Sequence, residues 1–81
     1  MAKVIFTTEL RRFTGGVKSV EIEASNVRQL IIELDRRYPG IGAQLRAGTA
    51  VAIDGEIVQE ALLEPIGPTS EVHFLPSLGG G

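Results

Sequence analysis

The feature that most constrains the fold of this sequence is one helical stripe of apolar residues near its middle. Their steps of three and four residues place them on a single helix face: Val27, Leu30, Ile31, Leu34 and Tyr38. Ser25 or Asn26 is the predicted N-cap, because either side-chain oxygen can accept a hydrogen bond from the first-turn N–H groups. Pro39-Gly40 is predicted to end the helix, so the stripe indicates one main helix of about three turns.

Two segments before this helix alternate between apolar and polar residues, as half-buried strands do. They run over residues 3–8 and 17–24, and the sequence Phe13-Thr14-Gly15-Gly16 between them has the composition of a turn. We expect the two segments to pair as a β-hairpin. For residues 9–12 the pattern leaves two alternatives, a continued strand or a loose loop.

After the helix, the sequence predicts one more helical turn and three further strands. The turn is expected over residues 41–46, and the strands over residues 50–53, 56–58 and 71–75. Asp54-Gly55 is typical of a type I′ turn between the first two strands, because both central positions of that turn need a positive φ. In the irregular connection that follows, Leu62 and Leu63 are expected to be buried.

This order of elements predicts an α+β domain, in which a mixed four- to five-stranded sheet packs on one main helix. A hairpin, a crossover helix and then further strands form the β-grasp, or ubiquitin-like, arrangement. We expect the last strand to lie beside the first, in the centre of the sheet. The expected division of the chain is a β-grasp domain over residues 1–76 and a flexible glycine-rich C-terminal tail over residues 77–81.

Composition narrows the classes of function. The chain has 81 residues, which is one domain, with 43% hydrophobic residues, a net charge of −2 and no cysteine. A net negative charge argues against nucleic-acid binding, and no apolar run approaches the roughly 20 residues of a membrane span. Without cysteine there is neither a disulfide nor a zinc-ligand set, which is typical of a reducing compartment. We therefore expect a cytoplasmic protein without a membrane or nucleic-acid partner and without a metal.

The last three residues, Gly79-Gly80-Gly81, are the strongest functional signal. Glycine packs no side chain and loses the most entropy on ordering, so folding stability gives no reason to place three together. Their expected use is to carry a carboxylate on a thin tether into a narrow channel of another protein. That carboxylate is ionised at neutral pH and must be activated before a nucleophile can attack it. The alternative is a frayed chain end.

Several segments resemble one known family along essentially the whole chain. They are Val4-Ile5-Phe6, Thr14-Gly15-Gly16, Tyr38-Pro39-Gly40, Ala52-Ile53-Asp54-Gly55-Glu56, the stretch from Ser70 to Pro76 and the terminal glycines. With them the chain resembles the MoaD/ThiS family of ubiquitin-like sulfur carriers. Ser77 stands where molybdopterin-type carriers often have a second proline. The stretch of residues 14–20 is also similar to carriers that deliver sulfur for cysteine synthesis.

The resemblance implies group transfer by a carrier protein rather than catalysis. An E1-like adenylyltransferase would use ATP to adenylate the Gly81 carboxylate, and a persulfide or sulfide would then displace AMP to leave a thiocarboxylate. A synthase subunit would accept the sulfur, with molybdopterin as the first expectation and thiamine thiazole or cysteine synthesis as alternatives. The carrier binds no cofactor itself, and it is a candidate small subunit of such a synthase complex.

The residues expected to contact these partners lie in the last strand and the tail: Gly80, Gly79, Leu78, Leu75 and His73. Leu75 is expected to be exposed beside the tail. His73, the single histidine, is interpreted as a surface residue of the docking face, because no nucleophile or orienting partner accompanies it. Arg11-Arg12 and Arg36-Arg37 are interpreted as solvated pairs. Two other functions remain open, a non-covalent ubiquitin-like interaction domain and a ubiquitin-like protein modifier.

Overall fold

The computed structural model describes residues 1–46, 50–58 and 61–75 of the chain. The strands are β1 (Ala2–Phe6), β2 (Ser19–Ile22), β3 (Ala50–Ile53), β4 (Glu56–Val58) and β5 (Glu71–Leu75). The helices are α1 (Arg11–Thr14), α2 (Val27–Arg37) and α3 (Ile41–Arg46), and a 3₁₀ turn covers Ala61–Leu63. The predicted tail, residues 77–81, lies outside the described residues.

The five strands form one mixed sheet in the order β2-β1-β5-β3-β4. β1 and β5 are parallel, with Val4 beside Val72 and Phe6 beside Phe74, and the other neighbouring pairs are antiparallel. The last strand in chain order therefore occupies the middle of the sheet, beside the first strand. This is the predicted β-grasp topology.

Helix α2 covers one face of the sheet and closes the core. Its predicted stripe is confirmed, because Val27, Leu30, Ile31 and Leu34 are buried and the Tyr38 ring meets the Phe6 ring edge-on, with centroids 5.9 Å apart. Asn26 is the N-cap, since its side-chain oxygen accepts a hydrogen bond from the Gln29 N–H at 2.8 Å. The Gln29 side chain in turn accepts from the Ser25 N–H, so two exposed donors at the helix start are satisfied.

The first connection differs from the prediction, because residues 11–14 form a helical turn rather than strand or loose loop. β1 ends at Phe6, and the Thr7 carbonyl accepts hydrogen bonds from the N–H groups of Leu10 and Arg11, which turns the chain away from the sheet. Leu10 then folds into the core, with 5% of its surface exposed. Gly15 ends α1 with a φ of 69°, in the left-handed region.

The prediction that Leu62 and Leu63 are buried is wrong. Their surfaces are 43% and 79% exposed, whereas the nearby Ile66 is only 8% exposed. The Ile66 N–H donates to the Ser25 carbonyl, and the Val27 N–H donates to the Glu64 carbonyl. These two bonds fix the connection beside the start of α2 so that Ile66, rather than either leucine, points into the core.

Other local predictions are confirmed. Asp54 and Gly55 have φ values of 51° and 86°, as a type I′ turn requires, and they join β3 to β4. Ile41 and Leu45 of α3 are buried. Among the described residues, no helix has the length and apolar character needed to cross a membrane.

Candidate functional site

The candidate site is built on β5, the strand from which the predicted tail continues. Its side chains alternate, with Val72 and Phe74 fully buried under α2 and His73 and Leu75 on the opposite, outer face of the sheet. Two completely buried side chains in the central strand make β5 a rigid base. The point at which the tail is attached to the domain is therefore fixed.

A row of mostly apolar residues crosses the outer face of the sheet at the level of His73. Strand register places Ile5 and Ala52 on either side of His73, and Ile57 beyond Ala52. We call Ile5, His73, Ala52 and Ile57 the outer-face row. Ile57 is 62% exposed, so the row ends in a large apolar side chain that lies in solvent. Such a surface is suited to protein docking.

Leu75 lies at the end of β5 nearest the tail and pairs with Ala50 of β3. It is half-buried, whereas the sequence predicted an exposed leucine, because β5 lies in the middle of the sheet rather than at an edge. The other expected site residues, Leu78, Gly79, Gly80 and Gly81, lie outside the described residues. The structure thus brings His73 and Leu75 together on one face.

In the part of the chain that the structure describes, the charged side chain near His73 is that of Glu71. The His73 Nε2 is 3.9 Å from the Glu71 Oε1, too far for a hydrogen bond, and the two side chains are 36% and 51% exposed. Among the described residues no cluster of three His, Cys, Asp or Glu side chains is arranged to hold a metal ion. The docking role expected for His73 stays a prediction.

The sequence analysis missed Ile5, Ala52 and Ile57 as parts of the same face. The alternation marks Ile5 as pointing away from Val4 and Phe6, but only the pairing of β5 with β1 and β3 shows that these residues flank His73. Register between strands far apart in sequence is set by tertiary packing, and the alternation within one strand does not give it.

The sequence model of the ThiS family matches residues 4–81 of this chain. The chain belongs to the ThiS family. With the β-grasp fold, this membership makes the protein a ubiquitin-like sulfur carrier, as the resemblance implied. No curated protein sequence matches it significantly.

Solved structures with the same fold cover nearly the whole ThiS-family chain. A chain in the crystal structure of the Amycolatopsis orientalis BexX/CysO complex is 29% identical over all of both chains, with a TM-score of 0.88. CysO of Mycobacterium tuberculosis, an antigen, is 25% identical over 96% of this chain and all of its own, with a TM-score of 0.87. The small archaeal modifier protein 1 of Methanosarcina acetivorans shares the fold at 19% identity and a TM-score of 0.83, covering 99% of this chain and 95% of its own.

Proposed function

We propose that this ThiS-family protein carries sulfur as a thiocarboxylate on the Gly81 carbonyl carbon. The observation that carries the proposal is the placement of β5, which runs through the centre of the sheet with Val72 and Phe74 fully buried and continues into the triple glycine. The fold supplies a rigid base, and the glycines supply a backbone without side chains. Family membership supports the same chemistry.

The transfer needs two steps, and both take place on a partner enzyme. First, a Gly81 carboxylate oxygen attacks the α-phosphorus of ATP, and pyrophosphate leaves to give an acyl adenylate. Next, hydrosulfide attacks the carbonyl carbon, a C–S bond forms, and the C–O bond to AMP breaks. The products are AMP and the thiocarboxylate, in which sulfur replaces one carboxylate oxygen. ATP is therefore a substrate of the activating enzyme, and the carrier contributes only its carboxylate.

The glycines of the tail have a steric role in this proposal. A channel that is only as wide as a polypeptide backbone can clamp the main chain by hydrogen bonds, provided that no Cβ stands in the way. Gly79 and Gly80 would pass through this channel, and Leu78 would rest at its entrance. The outer-face row, with Leu75, would dock on the surface around that entrance.

Intact-mass measurement tests the proposal directly. The protein is incubated with ATP, a sulfide donor and the adenylating enzyme of the same organism, and we expect a mass gain equal to the replacement of one oxygen by one sulfur. Gly81→Val should abolish the gain, because its side chain obstructs the channel. Ala43→Val, which places the same side chain at an exposed position of α3, is the matched control and should retain it.

Three other results would overturn the proposal. No mass gain with an enzyme that is active on its own carrier would favour a non-covalent interaction domain. Adducts to lysine side chains would indicate a protein modifier. Normal sulfur transfer by Gly81→Val would overturn the steric role given to the terminal glycine, because the variant keeps the terminal carboxylate and changes only the side chain.

The acceptor of the sulfur is a separate part of the proposal. The stretch of residues 14–20 resembles carriers for cysteine synthesis, and two of the structural neighbours, at 29% and 25% identity, are described with CysO. These observations favour an amino-acid precursor as the acceptor. They speak against a molybdopterin precursor, which is the first expectation because Pro76 directly follows the last strand. Supplying the purified thiocarboxylate form to each candidate synthase, and measuring which one consumes it, distinguishes the two.

A further inference from the structure

Basic residues collect at the end of the molecule from which the tail leaves. Four contacts define this end. Leu75 pairs with Ala50, the Phe6 N–H donates to the Lys18 carbonyl, and the Tyr38 ring meets the Phe6 ring. The Phe13 ring also lies 3.7 Å from the position of a Cβ on Gly40. The ends of β1, β5 and α2 and the start of β3 therefore meet there, together with α1.

Six of the eight lysine and arginine residues are in segments at this end, which we call the basic end. They are Arg11 and Arg12 of α1, Lys18 just before β2, Arg36 and Arg37 in the last turn of α2, and Arg46, four residues before Ala50.

Three carboxylates lie in the same segments, and two of them are already engaged. Glu33 pairs with Arg36 at 3.2 Å, and the Asp35 Oδ1 accepts hydrogen bonds from the N–H groups of Gly40 and Gly42. Glu9 is the third. Within the described part of the chain, Arg36 alone of the six cations has an ion-pair partner. With six cations against three carboxylates, the basic end carries a net positive charge.

The opposite end of the sheet has the reverse charge. The Asp54 N–H donates to the Glu71 carbonyl, and the Glu71 N–H donates to the Asp54 Oδ1, both at 2.9 Å, which fixes the β3–β4 turn beside the start of β5. Six carboxylates belong to this end, namely Glu21, Glu23, Asp54, Glu56, Glu64 and Glu71, against Lys3 and Arg28. The described residues thus form an electric dipole whose positive end includes Leu75, the last described residue before the tail, although the net charge of the chain is −2.

We propose that the basic end docks on an acidic surface that borders the tail-binding channel of the activating enzyme. The proposal deepens the proposed function, on which it rests, by stating the chemistry of the partner's surface. Charge complementarity carries the argument, since an acidic rim would attract the basic end, repel the opposite end, and so present the tail to the channel. Complementary fields of this kind raise association rates by about 10-fold or more at low ionic strength.

Two details of the basic end favour a protein partner over nucleic acid. The Arg12 guanidinium carbon lies 5.2 Å from the centroid of its neighbour's ring, Phe13, which holds this cation over an aromatic face. The Arg11 Nε is buried without a hydrogen-bond partner in the described part of the chain. The acidic opposite end would also repel a long phosphate backbone.

Charge reversal with a matched control tests the proposal. Arg12→Glu and Arg37→Glu reverse charges at the basic end, and Arg28→Glu makes the same change of net charge at the first turn of α2, at the opposite end; all three side chains are exposed. The association rate constant with the activating enzyme is measured by stopped-flow fluorescence without ATP. We expect roughly 5- to 10-fold slower association for the first two variants at low salt and less than 2-fold change for Arg28→Glu.

The difference in association rate between the charge-reversed variants and the wild type should shrink as salt is raised to about 0.5 M, because the screening length falls to a few ångströms. Arg12→Gln and Arg37→Gln, which remove charge without reversing it, should fall between the wild type and the reversed variants. Equal rates for all variants would overturn the proposal. Binding of a duplex oligonucleotide at physiological salt, lost in Arg12→Glu, would replace it with nucleic-acid recognition.

The two proposals fail in different ways. If the wild type gains sulfur but all variants associate equally fast, the acidic docking surface is wrong and the carrier function stands. If the variants differ in association but no sulfur is gained, the docking surface stands and the thiocarboxylate is wrong.

Discussion

Gly42 is required by the side chain of Asp35 rather than by an unusual backbone conformation. The Asp35 Oδ1 accepts hydrogen bonds from the Gly42 N–H at 2.9 Å and the Gly40 N–H at 3.2 Å, where α2 gives way to α3. A Cβ on Gly42 would lie 2.8 Å from that oxygen and 3.1 Å from the Asp35 Cβ. Asp35 would have to move and lose one or both hydrogen bonds.

Gly42→Ala should therefore destabilise the protein by about 1–2 kcal/mol, although alanine is usually the better helix residue. Gly67→Ala is the matched control, because its Cβ would meet only the Ser70 Oγ at an ordinary 3.5 Å. We expect that control to be neutral or stabilising by about 0.5 kcal/mol. Urea unfolding followed by circular dichroism measures both, and a stabilising Gly42→Ala would contradict the steric argument.

Single-residue features could be predicted from the sequence where they depend on neighbouring residues, and not where they depend on packing between elements. The turn at Asp54-Gly55 could be predicted, because a type I′ turn requires a positive φ at two adjacent residues and therefore shows in the local sequence. The requirement for glycine at position 42 depends on how α3 packs back on Asp35, seven residues earlier. Such a contact exists only once the two helices are in place, so the local pattern does not contain it.

At the level of elements, the connection between β4 and β5 shows the limit of hydrophobicity as a guide. Leu62 and Leu63 are the larger apolar signal, but Ile66 enters the core because its N–H is tied to the Ser25 carbonyl. The chain had three apolar candidates in this connection, and backbone hydrogen bonds to the start of α2 selected one. Periodicity cannot distinguish them in a segment without regular structure.

Truncating Ile66 and Leu63 to alanine, one at a time, measures how much each side chain contributes to stability. Ile66→Ala should cost about 2–4 kcal/mol, because it removes buried methylene groups and leaves a cavity. Leu63→Ala removes a side chain that is 79% exposed, so we expect a change within about 0.5 kcal/mol. Thermal and urea unfolding of the two variants provide the comparison. Similar losses at both positions would mean that Leu63 packs against the protein.

Across the whole molecule, the sheet separates two tasks between its faces. The face under α2 holds the core, and the outer-face row lies on the other face, where Ala52 is buried, Ile5 and His73 are half-buried and Ile57 is 62% exposed. The topology could be predicted from the order of elements, because one crossover helix between hairpins places the last strand beside the first. The composition of the outer face could not, since it depends on register between strands as distant as β1 and β5.

A charge on the outer-face row should impair docking without affecting folding. Ile57→Glu places a carboxylate on a side chain that is 62% exposed, and Leu63→Glu makes the same change at an exposed position outside the sheet. We expect the rate of thiocarboxylate formation, at subsaturating carrier, to fall about 10-fold or more for Ile57→Glu, because a large apolar contact of the interface would be replaced by a charge that loses its hydration on docking. Leu63→Glu should fall less than 2-fold. Equal rates would exclude the row from the interface.

The central position of β5 links the integrity of the domain to the availability of its tail. β1 and β3 both hydrogen-bond to β5, so a copy that ends before Glu71 loses the middle strand of its sheet as well as the segment beyond it. Chains that terminate before β5 would consequently be unfolded substrates for proteolysis rather than folded copies that compete for the activating enzyme.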